Sequence, residues 1–200
     1  MALRAARIFL LSPAHAGGTR AKFLLNPRAT FPLALQFHRE GLSIADAFAF
    51  TSGLYFRGKI TYARRFAEAP AGDVVRVITS NAGLVDPEKI IGPKELAAFG
   101  TTEIEVDDPV YHQPLRRTAR ALRRKLGASA DVVLLGSIAT PKYRQVLLEV
   151  FGSRLLFPTA FVGRGDMSRG ALLLRAVRAG RQLDYGKVQG AALTGRRTSG

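Results

Sequence analysis

LLFPTAFVGRGDMSRGALLLR, residues Leu155–Arg175, is the stretch from which the fold reads outward. Leu155-Leu156-Phe157 is a short apolar run stopped by Pro158, the pattern of a buried strand. A charged, glycine-rich loop follows, with Arg164, Asp166, Ser168 and Arg169 set among Gly163, Gly165 and Gly170. Helical spacing then begins at Ala171 and continues to Val177. A strand, a flexible charged loop and a helix start form a natural anion site. Free backbone N–H groups and the helix dipole face the ligand there, and arginines add charge-assisted hydrogen bonds. A phosphate or a nucleobase-bearing ligand is the expected guest, held by Arg164, Ser168 and Arg169.

The same alternation extends toward the N-terminus. Arg7–Leu11, Val74–Thr79 and Asp131–Leu135 read as buried strands. Phe31–Arg39, a short helix capped by Ser43, Ile60–Glu68, Pro93–Phe99, Pro114–Leu126 and Pro141–Phe151 read as helices. Thr101–Val106 alternates polar and apolar residues and is expected to be a strand with one wet face. Ser12–Asn26, Thr51–Lys59 and Asp107–Gln113 read as connections, and Gln182–Val188 as an edge strand. Apolar strands alternating with helices predict an α/β three-layer sandwich, a parallel or mixed sheet with helices on both faces. Residues 1–189 are expected to form one domain and 190–200 a disordered tail.

Composition narrows the partners. The 200 residues carry 30 Lys+Arg against 15 Asp+Glu, a net charge of +15. Such a balance points to a polyanion, nucleic acid or a nucleotide-like ligand before an acidic membrane. The absence of cysteine excludes disulfides and thiolate metal sites. His15, His38 and His112 are too scattered to suggest a metal, and no cofactor is indicated. Met1–Ala16 has an apolar centre of only Ile8–Leu11, too short for a secretory signal, and reads as the first strand. A cytoplasmic protein without a membrane segment is the expectation.

In such folds ligands bind beyond the carboxyl ends of the strands. Those ends are Ser12–His15, Thr79–Asp86, Gly136–Thr140 and Pro158–Arg169, and they are expected to converge on one cleft. Ser12 and His15 put a hydroxyl and an imidazole at the first. Without a G-x-S-x-G elbow, His15 is the better candidate as ligand contact or proton carrier. Ser80, Asn81 and Gly83 lie at the second, with Asn81 suited to a base edge. Asp86 and Asp166 are the candidate carboxylates for positioning water or stabilising a sugar cation. Alternatively, Asp86 only starts a helical turn. Ser137 and Lys142 are expected to contact phosphate, although the spacing is not that of a Walker A loop. Tyr55, Arg57 and Lys59, between Gly53 and Gly58, suit stacking on a base and touching its phosphate. The arginine-rich face of Pro114–Leu126 is a solvated face unless it adjoins the cleft.

Three motifs, LGSIATPKY (Leu135–Tyr143), SGLYFRGK (Ser52–Lys59) and the opening stretch, resemble a bacterial family of hypothetical proteins over nearly the whole chain. More distantly, the first strand with Ser-Pro and the second with Ser-x-x-Gly-Leu-Val resemble the central domain of archaeosine synthase. That domain is related to the uracil-DNA glycosylase fold. The resemblance implies nucleobase recognition and places Ser12, Ser80 and Gly83 at the cleft. Where the glycosylases carry Gly-x-Asp-Pro, this chain has Ser12-Pro13-Ala14-His15. Their His-Pro-Ser-Pro-Leu loop is echoed loosely by Tyr111–Leu115. The functions expected are therefore a nucleobase-processing, glycosylase-like enzyme, a non-catalytic DNA- or RNA-binding module, or a small-molecule nucleotide transferase.

Overall fold

The computed structural model describes residues 6–68, 75–105, 107–126 and 130–191. Four strands run parallel: β1 (Arg7–Leu11), β3 (Val75–Thr79), β6 (Asp131–Leu135) and β7 (Leu155–Pro158). Two short antiparallel strands, β4 (Gly83–Val85) and β8 (Tyr185–Lys187), close the edges. The order is β4-β3-β1-β6-β7-β8, a mixed sheet. A separate pair joins β2 (Leu42–Ser43) to β5 (Ile90–Ile91).

Alternation along the strands sorts the core into two layers. Phe9, Leu11, Val75, Val77, Val133 and Leu135 face one side. There they meet α1 (Thr19–Leu25), α2 (Pro32–Glu40), α3 (Ile44–Ser52), α4 (Leu54–Phe66), α5 (Pro93–Thr101) and α8 (Asp166–Arg178). Leu10, Ile78, Val132 and Leu134 face the other side, against α6 (Pro109–Leu126) and α7 (Pro141–Phe151). The protein is thus an α/β three-layer sandwich.

Several local readings are corrected by neighbours in space. Thr19–Leu25 is a helix within the expected connection 12–26, because Ala21 and Leu24 bury against the core. The expected break at 51–59 shrinks to Gly53, at φ +60°, between α3 and α4. Residues 80–86 are a hairpin rather than a loop, held by Thr79 Oγ1 donating to the Gly83 carbonyl at 2.9 Å. Thr101 ends α5, and Thr102–Glu105 form no strand. Helix α6 starts five residues early, because the Asp108 carboxylate accepts the Val110 N–H at 2.8 Å and caps it. By contrast, Ser43 caps α3 through the Asp46 N–H, as its position predicts. Of the expected tail only Gly190 and Ala191 lie within the described residues.

Candidate active site

Strand order locates the crevice. From β1 the chain passes through α1–α4 on one face and joins β3. From β6 it passes through α7 on the opposite face and joins β7. Connections that part in this way leave a cleft between the carboxyl ends of neighbouring strands. Here those ends are Ser12 and Gly136-Ser137.

A cleft of about 510 Å3 opens at this point. Ser12 and His15 line it from the β1 end, Tyr55 and Lys59 from α4, and Ser137, Lys142 and Tyr143 from the β6 end and α7. Asp166 and Met167 close it from the start of α8. Three of the four strand-end loops therefore converge. The fourth does not.

Lys59 is the centre of the site. Its side chain is 1% exposed. Its Nζ donates to the Ser12 carbonyl at 2.6 Å and to Ser12 Oγ at 2.8 Å. It also sits over the Tyr55 ring at 4.5 Å and the Phe56 ring at 5.0 Å, which partly repays its desolvation. Burial nevertheless lowers its pKa from 10.5 to about 7; Asp166 raises it and Arg169 lowers it. Near neutrality this amine exists in both protonation states.

Tyr143 completes the group. Its phenol oxygen stands close enough to the Ser137 backbone N–H and the Ser12 hydroxyl for both to act on it electrostatically. Burial pushes its pKa up to about 12, so it stays a neutral donor. Gly136 permits this approach. A Cβ there would stand 2.8 Å from Ser12 Cβ and 2.9 Å from the Tyr143 oxygen. Gly136→Ala is therefore expected to destabilise the fold by about 1–3 kcal/mol and to separate Tyr143 from Ser12. Denaturant melts give the first effect. A rise in Tyr143 solvent accessibility, read by ultraviolet difference spectroscopy, gives the second.

The other expected contacts are distributed as follows. Tyr55 lines the cleft, but one ring face is covered by Lys59 and Phe161 meets it edge-on at 6.3 Å. Burial raises its pKa. Its Oη makes no hydrogen bond of normal geometry, although Arg169 lies near enough to act on it electrostatically. Arg57, two residues on, is exposed on the opposite side of α4. Arg164 Nε donates to the Ala160 carbonyl at 2.8 Å, and its guanidinium also reaches Ser168 at 3.1 Å. Arg169 Nε donates to the Phe161 carbonyl at 3.2 Å, and the same side chain pairs with Asp166 at 3.3 Å. The helix start read as an anion cradle is thus complemented by the chain's own carboxylate, Asp166. Lys142, at the rim, pairs with Glu105 at 3.1 Å.

The loop after β3 serves the fold. Ser80 Oγ is buried and donates to the Phe99 carbonyl at 2.9 Å. Asn81 reaches Thr102 at 3.5 Å, and Gly83, at φ +71°, packs against α6 beside Pro114 and Thr118. Asp86 pairs with Arg76 at 3.2 Å and accepts the Glu88 N–H at 2.8 Å. None of these four residues lines the cleft. Among the described residues no group of three His, Asp or Glu side chains could hold a metal ion. No helix there is long and apolar enough to cross a membrane.

Compared with known protein families, with curated proteins and with solved structures, the chain matches none.

The pairing of Lys59 with Ser12 was hidden because residues 51–59 read as a break. Read as a helix, Tyr55 and Lys59 at i and i+4 share a face, while Arg57 at i+2 points away. That spacing was the available signal.

Proposed function

We propose that this chain binds nucleic acid or a nucleotide-like ligand in the cytoplasm and that the cleft receives its base-bearing end. The excess of 30 basic over 15 acidic side chains is the observation that carries this reading. The cleft supports it by its size and its lining. Apolar walls from Ile104, Met167 and Tyr55 stand beside the hydroxyls of Ser12, Thr51, Ser52 and Ser137. Such a lining suits an uncharged base better than a phosphate, because Asp166 stands at the rim and Arg169 is already paired. The phosphates then belong outside, on exposed cations beside the α8 end of the cleft such as Arg164. In a base-processing reaction Asp166 is the carboxylate that lines the cleft, and a duplex substrate would have to be flipped out to reach it.

A non-catalytic binding module is the second reading. It is favoured by the groove of Arg116, Arg117, Arg120 and Arg124 on α6. Arg116 and Arg120 are held there by Glu149 at 2.8 and 3.0 Å, which leaves the exposed Arg117 and Arg124 as the variable charges.

Salt dependence tests the common claim. A single-stranded oligonucleotide held by six or more phosphates is expected to lose on the order of several hundredfold or more in affinity between 50 and 200 mM salt. A mononucleotide would show a shallow slope. No binding of either at 50 mM salt would overturn the proposal. Arg117→Glu with Arg124→Glu separates the two readings: weakened binding favours the α6 face, unchanged binding favours the cleft rim.

A further inference from the structure

Ser12 Oγ and Lys59 Nζ lie 2.8 Å apart at the floor of an open cleft, and neither the base nor the phosphate reading uses them as a pair. We propose that Ser12 is a nucleophile with Lys59 as its general base, and that the cleft transfers an acyl group from a carboxylic ester to water.

The geometry supplies each part. Lys59 Nζ is anchored on the Ser12 carbonyl, so its position is set by the backbone that carries the nucleophile. As an ammonium it donates to both Ser12 oxygens. As a neutral amine it keeps one N–H on the carbonyl and turns its lone pair toward the Ser12 hydroxyl hydrogen. The groups around it come from four directions. Tyr55 shares its helix, Asp166 and Arg169 face it from α8, and Tyr143 and Lys142 stand across on α7, with His15 in the loop after β1. Burial among rings holds the amine largely neutral at mildly alkaline pH, the state a base requires.

The reaction balances without an oxidant or a metal. Ser12 Oγ bonds to the carbonyl carbon as its proton passes to Lys59 Nζ. The bond from that carbon to the leaving alcohol oxygen breaks, and the oxygen takes the proton from Lys59. Water then adds to the acyl carbon and gives a proton to Lys59. The carboxylic acid leaves, and Ser12 Oγ recovers that proton. The Tyr143 phenol, beside the Ser12 hydroxyl next to Gly136, is the donor nearest the developing oxyanion. One hydrogen-bond donor with a carboxylate at the rim suits the single negative charge of an acyl intermediate. It does not suit a transferring phosphoryl group, which needs several free cations.

This claim concerns the same cleft but does not rest on the nucleic-acid reading, and its test contains no nucleotide. The full chain is incubated with a fluorophosphonate, which phosphonylates activated serines, and the adduct is located by peptide mass spectrometry. The adduct is expected on Ser12 and is expected to vanish in Ser12→Ala. Lys59→Met, if folded, is expected to label at least about a hundredfold more slowly. In the unaltered chain the labelling rate is expected to rise about tenfold per pH unit below neutrality and level off above pH 7, following the neutral amine. The same profile is expected for hydrolysis of a short p-nitrophenyl ester. Absence of labelling at Ser12, or a rate that climbs in proportion to hydroxide through pH 10, would overturn the assignment, whatever the oligonucleotide experiment finds.

Discussion

Gly170→Leu is expected to destabilise the protein by about 3 kcal/mol or more. Helices α4 and α8 cross at two glycines. A Cβ on Gly170 would stand 2.9 Å from the Leu54 carbonyl oxygen and 2.9 Å from Tyr55 Cα. A Cβ on Gly58 would stand 2.8 Å from the Gly170 carbonyl oxygen. All of these neighbours are backbone, which cannot rotate aside. Even Gly170→Ala is expected to cost about 1–3 kcal/mol, against roughly 1 kcal/mol gained from helix propensity. Denaturant unfolding checks both. Stabilisation by the alanine, the usual result in an exposed helix, would show that the crossing has room. Gly58→Ala acts on the same contact, so the double variant is expected to cost less than the sum. The consequence reaches the cleft, because α4 carries Tyr55 and Lys59 while α8 carries Asp166 and Arg169.

Between pH 7 and 9.5 the protein is expected to become more stable, and Lys59→Met is expected to abolish most of that gain. The sign follows from proton counting. In the unfolded chain Lys59 titrates near its ordinary 10.5, and in the fold near 7. Across that interval the unfolded state holds more protons, so stability rises with pH, by at most about 1.4 kcal/mol per pH unit. Below pH 7 both states are charged and the full penalty of burying the ammonium is present. The window stops short of pH 10 because Tyr55, Tyr111, Tyr143 and Tyr185 have raised pKa values. Their ionisation in the unfolded chain favours unfolding above that point. Urea melts at pH 7, 8 and 9.5 for both proteins give the slopes. Equal slopes would mean that Lys59 titrates in the fold as it does in water.

Local sequence was enough for the framework. Apolar runs such as Val132–Leu135 have no soluble alternative to burial, and the proline and glycine around Pro141–Phe151 bound a helix whatever surrounds it. It also placed Ser12, His15, Ser137, Lys142 and Asp166 at strand ends that do meet. It did not separate the loop after β3 from the others. Asn81 and Asp86 carry the same chemistry as cleft residues, yet the antiparallel hairpin turns them toward the sheet edge.

What sequence by itself determined was the alternation of strands and helices, the strong positive charge and the lack of any thiol chemistry. Those depend on periodicity and residue type, which are local properties. Only the tertiary structure decided that Lys59 leaves solvent to meet Ser12, 47 residues earlier. That contact depends on α4 lying across the end of β1, and α4 lies there because Gly58 and Gly170 let α8 press it down. A long polar side chain carries no local mark of burial; its neighbours in space impose it.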